Sequence, residues 1–423
     1  MSGLQPRGSL DVYLGEQLLG QLEDRTLGYV AFAFVDEAIE RYGLGSRVLS
    51  VNLPISEGKT DATMTTPFFR GLLPESAALD RIASEFQVDP GDTWGLLGLI
   101  GRESAGALTI LAAGEQLPAP AAAPPPPLTE EELTTAIAEL TDKPLGVTVE
   151  EDEVRLSLAG VQDKLPLVEL ADGRLAHPVR GQPSTLIAKP GKEAFADLVP
   201  NEAFCLAVAT ELGLPVAGFR VLQVGGRPLL IVERYDRTID ANGRMVRLHQ
   251  EDVCQASGIN PGFKYEYAGG PSLANVAALL SDHSFQPGID RRHLFKLAAV
   301  NALLGNCDAH GKNLSLLHTE VGVSLAPAYD LVSTEAYVHT DRLGMRLGPA
   351  ERLRNVDLAA LVDTSRITSG LRAGQRILQE LAEQLPGALA AAEQRAHTEG
   401  WHVARVTQIA NDTSARAARM LSG

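Results

Sequence analysis

Gly305-Asn306-Cys307-Asp308-Ala309-His310-Gly311-Lys312-Asn313 is the stretch on which the reading of this chain turns. It is a dense polar cluster set directly after an apolar helical run, 294–304. Seventeen residues beyond Asn313 stands Asp330, in Ala328-Tyr329-Asp330, just past a short apolar stretch at 321–326. The polar groups fall where regular elements end, which is where a rigid scaffold presents chemistry on loops.

The spacing inside the stretch points to phosphoryl transfer. That chemistry needs a carboxylate to accept a hydroxyl proton and, five residues on, an amide oxygen that holds Mg²⁺ without adding charge. A second carboxylate, from a later loop, bridges metal and phosphate. Asp308, Asn313 and Asp330 supply these groups in that order. An Asp-x4-Asn pair alone is common by chance, and the later Asp after a strand gives it weight. Between them, His310 orients the loop or touches phosphate, and Lys312 is placed to meet the transferring phosphoryl group. Cys307 is a poor nucleophile, because a neighbouring carboxylate raises a thiol pKa.

Upstream, 151–237 carries what the phosphates of ATP would require. The pattern predicts a strand over 154–158 running into Ala159-Gly160, and a return at 165–170 after Gln162-Asp163-Lys164. A strand over 185–189 ends in Lys189, and a helix over 200–212 carries Glu202 in its first turn, with Gly213 as its stop. Backbone amides of the loop would cover phosphates, and a lysine held by a carboxylate would neutralise them. The loop has one glycine rather than three. Lys189 also reads as a strand-end surface lysine, and Glu202 also reads as a carboxylate favoured at a helix N-terminus. A hairpin over 221–232 leads to Glu233-Arg234-Tyr235, either a nucleotide-base hinge with Tyr235 as the flat contact or a salt-bridge cluster.

The N-terminal part shows strand patterns at 10–14, 18–22, 29–34 and 48–53, and no titratable constellation. Prolines among alanines at 114–128 predict a semi-rigid linker. Thr129 with Glu132 predicts a capping box opening a helix to about 140. From 248 onward helices dominate: 272–280, 291–304 and three more at 371–385, 386–397 and 402–421.

With 423 residues, 45% hydrophobic and 21% charged, the chain can bury two or three cores. A net charge of −16 argues against binding nucleic acid through its overall field. Three scattered cysteines give no disulfide or zinc pattern, and a reducing compartment is the simpler reading. No signal-peptide pattern and no membrane-length apolar run is visible, so a bacterial-type cytoplasmic protein is expected.

The run 307–313 with Tyr329-Asp330 resembles the catalytic core of HipA-type serine/threonine kinases, the toxins of bacterial toxin–antitoxin pairs. Four further stretches agree: 156–164, 232–237, 250–255, and Lys264-Tyr265-Glu266 followed by Gly269-Gly270-Pro271. The resemblance covers most of 8–345. It implies an α+β fold, with a small mostly-β N-terminal subdomain (8–112) and a Pro/Ala linker (113–128). A two-lobed, PI3/4-kinase-like body would follow, with an N-lobe at 129–236 and an all-helical C-lobe at 237–423. It implies Asp308 as catalytic base and Asn313 and Asp330 as metal ligands for Mg²⁺. ATP would be bound by Ala159, Gly160, Gln162, Lys164, Lys189, Glu202, Glu233, Tyr235, His310 and Lys312. It further implies autophosphorylation at Ser157 and a DNA-binding, helix-turn-helix HipB-like antitoxin through which DNA is met. Aminoacyl-tRNA synthetases would be among the protein substrates. Two rivals make different predictions. A metal-assisted hydrolase using Asp308, His310 and Asp330 needs no ATP, and an inactive corepressor of an antitoxin needs no Asp308.

Overall fold

Alternating apolar residues at 10–34 build the first sheet. Leu10–Leu14 pairs antiparallel with Gln17–Asp24 on one edge and with Leu108–Ala112 on the other, and Gln17–Asp24 pairs with Val30–Phe34. Leu10, Val12, Leu22, Phe32 and Phe34 pack with Phe68 and Phe69 of helix Ala62–Gly71 into one core. The structure, a computed structural model, describes residues 7–119, 123–140, 164–191, 195, 197–337 and 341–421. The chain gathers into two compact units, 1–189 with 236–262, and 190–235 with 263–423.

In the first unit the expected strand over 48–53 does not form. A carboxylate supplies what a neighbouring strand would have supplied. Buried Glu251 accepts the Ser50 hydroxyl at 2.5 Å and the Val51 amide at 2.8 Å. Residues 236–262 are tied into this unit in the same way. Asp236 accepts the Gly106 amide at 2.7 Å, and Arg237 donates to the Ser184 carbonyl at 2.9 Å and pairs with Glu103. The Thr129–Glu132 capping box is present and opens helix Glu130–Glu139. Leu165–Glu169 pairs antiparallel with Leu175–Ala176 and with Leu186–Pro190, which carries buried Lys189.

The second unit is helical in bulk. Helix Leu198–Glu211 begins earlier than its sequence pattern suggests and is buried nearly all round. Glu202 therefore sits past the first turn, 1% exposed, where the helix dipole no longer accounts for it. Phe219–Val224 and Arg227–Glu233 form the expected hairpin on Gly225-Gly226. Helices Leu273–His283, Pro287–Leu304, Leu358–Ile367, Leu371–Thr398 and Ala404–Leu421 complete the unit. Two short hairpins, Ser315–Thr319 with Gly322–Leu325 and Arg342–Leu347 with Ala350–Arg352, stand among them.

The break expected at Pro386 is absent, and one helix runs through it from Leu371 to Thr398. The ring removes the hydrogen bond to the carbonyl of Ala382, and both residues are exposed, so water can satisfy the freed oxygen. Pro386→Ala is expected to stabilise the protein by about 2 kcal/mol: an interior proline costs ~3 kcal/mol, less the smaller entropy it removes from the unfolded chain. Urea denaturation checks this, and an unchanged or lower midpoint would mean that the helix already relieves the ring.

Candidate active site

Helix Pro287–Leu304 ends on Gly305, whose φ of 76° is the left-handed conformation that glycine adopts most freely. A side chain there would also meet the Arg416 guanidinium, 2.9 Å from an added Cβ. Buried Arg416, on helix Ala404–Leu421, donates to the Leu303 carbonyl at 2.8 Å and pairs with Glu335. The Glu335 amide in turn donates to the Gly305 carbonyl at 3.1 Å. The loop thus leaves its helix at a fixed point. Arg416 is pulled below the ordinary guanidinium range by burial, against the opposing charge of Glu335.

Beyond Gly305 the loop is shaped by its own polar side chains. Asn306 donates to Asn301 at 2.8 Å and accepts the Asp308 amide at 3.0 Å. Thr334 accepts the Cys307 amide at 2.8 Å. Asn313 Oδ1 accepts the His310 amide at 3.1 Å, and His310 Nδ1 accepts the Lys312 amide at 3.3 Å, a reciprocal cap over the turn Gly311–Asn313. The Gly311 amide donates to the Lys264 carbonyl at 3.0 Å. Asp308 is exposed, and its Oδ1 accepts the Tyr265 hydroxyl at 2.7 Å.

Asp330 reaches this loop from a second anchored segment. Ala328 is bonded on both sides to 215–217, its amide to the Pro215 carbonyl at 2.8 Å and its carbonyl to the Ala217 amide at 2.9 Å. The Tyr329 hydroxyl lies 2.8 Å from the Lys312 carbonyl and 2.7 Å from the Ser315 hydroxyl. Three residues past Asp330, Asn201 holds both main-chain groups of Ser333, at 2.8 and 3.0 Å. Asp330 itself has φ 59°, a left-handed backbone on a residue with a side chain. Its Oδ2 accepts from Asn313 Nδ2 at 2.9 Å, so residues seventeen apart in sequence are in direct contact.

Two sections of the chain match family models. Residues 10–111 match the HipA N-terminal domain, and 156–390 match the HipA-like C-terminal domain, more than half of the chain. The chain belongs to the HipA family. A protein of Sinorhizobium fredii named as a kinase, Y4mE, is 37% identical over 359 residues, 82% of this chain and 83% of the relative. The serine/threonine-protein kinase toxin HipA of Shewanella oneidensis is 30% identical over 346 residues, 78% of this chain and 76% of the relative. The solved complex of HipA, HipB and operator DNA from Shewanella oneidensis contains a chain that superposes with a TM-score of 0.79. The identity there is 28%, with 97% of each chain covered. The family resemblance and the α+β, kinase-like fold drawn from the sequence are borne out.

The sequence-derived residues of this HipA family member fall into three groups. Asp308, His310, Lys312, Asn313 and Asp330 are brought together in the second unit, with Tyr235 stacked on Tyr329 at 5.7 Å between ring centres. Glu202 and Glu233 are also in that unit. Glu233 is exposed, with its amide donating to the Gly218 carbonyl at 2.7 Å. Lys189, and Lys164 at the entry to Leu165–Glu169, belong to the first unit. Ser157, Ala159, Gly160 and Gln162 lie outside the described residues. Cys307 is pushed up to about 11, by burial first and Glu335 second, rather than by Asp308.

For a metal, the donors would be the amide oxygen of Asn313 and the carboxylate of Asp330, hard oxygens on two side chains that already touch through Asn313 Nδ2. Among the described residues no three His, Cys, Asp or Glu side chains cluster as a cage. Such a sparse oxygen set fits Mg²⁺, which keeps waters and phosphate oxygens as its other ligands.

Sequence reading missed Asn201, Thr334, Arg416 and Gly344, all of which act by bonding or clearing main chain and leave no local pattern. Gly344 donates its amide to the Cys307 carbonyl at 2.8 Å, and an added Cβ would lie 2.6 Å from the Ala309 carbonyl oxygen. Gly344→Ala is expected to destabilise the protein by about 1–3 kcal/mol, since backbone rather than a flexible side chain must yield. Gly387→Ala meets nothing within 4 Å and is expected to stabilise helix Leu371–Thr398 by ~0.5–1 kcal/mol. Thermal melts of the two variants check the contrast, and a shared direction would place the loop farther from the strand than the structure has it.

Proposed function

We propose that this protein is a serine/threonine protein kinase that moves the γ-phosphoryl group of ATP to a protein hydroxyl. The observation that carries the reading is the contact of Asn313 with Asp330, at 2.9 Å, beside Asp308 on the same loop. A proton acceptor on one side of a hard-oxygen metal pair is what an in-line phosphoryl transfer needs. The names of the relatives, a serine/threonine-protein kinase toxin and a protein named as a kinase, support it.

In this reading Asp308 accepts the proton of the attacking hydroxyl. Asn313 and Asp330 hold Mg²⁺, which when bound neutralises charge between the phosphates. Lys312 meets the transferring group, and His310 holds the turn that presents both Asn313 and Lys312. Lys189, steadied by Glu202, neutralises the nucleotide phosphates, with Ala159, Gly160, Gln162 and Lys164 covering them. Glu233 and Tyr235 receive the base.

The family supports a finer reading. The protein acts as a toxin in the cytoplasm and is neutralised by a helix-turn-helix, HipB-like antitoxin that meets DNA, as HipA and HipB do with operator DNA in the solved complex. Its substrate would be a protein hydroxyl, an aminoacyl-tRNA synthetase among the candidates. Ser157 would be the site of self-modification. Added phosphate there brings about −1.5 to −2 charges, which would repel ATP phosphates and switch the enzyme off. Among the described residues no helix is long and apolar enough to cross a membrane.

Labelled ATP with the purified protein tests the assignment. Asp308→Asn keeps the shape but not the proton acceptor, and should lower transfer by ~10²–10⁴ with nucleotide affinity nearly unchanged. Asp330→Asn keeps a residue tolerant of the left-handed backbone and removes the charge, so it should weaken nucleotide binding in Mg²⁺ but not in its absence. Mass spectrometry should find phosphate on Ser157 in the wild type and none in Asp308→Asn. Transfer by Asp308→Asn at the wild-type rate would sink the reading.

A further inference from the structure

Resting on the assignment of Asp308 as the base, we propose that Tyr265 is the positioning residue that aims the Asp308 carboxylate. Its hydroxyl donates to Asp308 Oδ1 at 2.7 Å, the short distance of a hydrogen bond to a charged acceptor. An aspartate carboxylate can turn about two side-chain bonds, and a base must lie within about 2.6–3.2 Å of the proton it takes. Fixing one oxygen with a phenol orients the carboxylate plane toward an acceptor hydroxyl.

Tyr265 is itself built to stay in place. Its ring stacks on Tyr267, with centres 5.1 Å apart and planes 13° apart, and meets His310 edge-on at 5.1 Å. The Arg342 guanidinium lies over the Tyr267 ring, 3.9 Å from its centre. The Tyr265 carbonyl accepts the amides of Ala268 and Gly270, at 2.9 and 2.8 Å. Next to it, Glu266 takes two hydrogen bonds from Arg346, one from its amide and one from Nε, both at 2.7 Å. Arg346 lies on Arg342–Leu347, the strand whose Gly344 amide bonds the Cys307 carbonyl, one residue before Asp308. On the other side, the Lys264 carbonyl accepts the Gly311 amide. The phenol and the carboxylate are thus held from both ends by one closed circuit, main-chain bonds at Gly311 and Gly344 and the Glu266 carboxylate on Arg346, and the 2.7 Å contact is its last link.

The test is Tyr265→Phe in the full chain, which keeps the ring and its stacking and deletes only the donor. Transfer from γ-labelled ATP is followed with a heat-inactivated bacterial lysate as the pool of acceptors. Asp308→Asn is run beside it, and melting temperature and ATP affinity are measured for each. Tyr265→Phe should transfer at least about tenfold more slowly at saturating ATP, with KM for ATP, nucleotide affinity and melting temperature unchanged. A purely structural role would disturb Lys312 and Asn313 through the shared loop and move nucleotide affinity as well, so a loss accompanied by weaker ATP binding or a lower melt overturns the proposal. Wild-type transfer by Tyr265→Phe while Asp308→Asn is inactive also overturns it and leaves the base standing. An Asp308→Asn variant as fast as the wild type removes the base, and this proposal with it.

Discussion

Residues 305–313 form a tight loop without a ladder of main-chain hydrogen bonds, so its buried amides must find partners one at a time. Side chains provide four of them. Asn306 caps Asp308, Asn313 caps His310, His310 caps Lys312 and Thr334 caps Cys307. Main chain provides four more, from Lys264 to Gly311, from His310 to Asn313 and from the helix end to Gly305 and Asn306. The polar richness of the stretch has two sources that sequence alone does not separate. Some of these groups would perform chemistry, and others are present because a helix stops here and water is kept away from the amides. His310 shows the point, since its Nδ1 is engaged by a main-chain amide in the fold itself.

The second constraint is the backbone of Asp330. A left-handed conformation on a non-glycine residue costs roughly 1–2 kcal/mol, and it persists only where the surroundings fix it. Here the fixing is visible on both sides. Ala328 is paired to 215–217 before it, and Ser333 is clamped by Asn201 after it. Asn201 sits on Leu198–Glu211, a helix buried nearly all round, so the clamp rests on core packing rather than on a surface contact. The turn that results brings the carboxylate to Asn313.

The sequence made the loop legible because its residue types are rare together and their spacing matches a known chemistry. Period-two and helical patterns were legible for the same reason they fold, as with the strands at 10–34 and helix Pro287–Leu304. Three features were hidden by long-range or solvent effects. Val48 to Leu53 has strand-like composition, but its amide at Val51 is taken by Glu251, two hundred residues away. Pro386 looks like a helix breaker, but it lies on the solvent face, where a lost hydrogen bond goes to water. Glu202 looked like a helix-start acid, but the helix begins earlier, and the residue is buried in its body. The residues that hold the site, Asn201, Thr334 and Arg416, bond main chain at 27 to 132 residues' distance. Nothing in their local sequence marks them.

A division of labour follows within the site. Asn313 has two lone pairs on Oδ1. One is used by the His310 amide, and the other is what a metal would require, while its amide nitrogen already donates to Asp330. A change at 313 therefore unmakes the turn, the contact with Asp330 and a ligand position at once, and its effect on rate could not be assigned to any of them. Asp308 differs. Its amide is held by Asn306, so its main chain keeps its place whatever the carboxylate does. The carboxylate meets Tyr265, which is anchored from a different segment of chain. The geometry thus separates the group that would move a proton from the groups that hold the loop. It makes position 308, more than 310 or 313, the one where a substitution reports on chemistry rather than on folding.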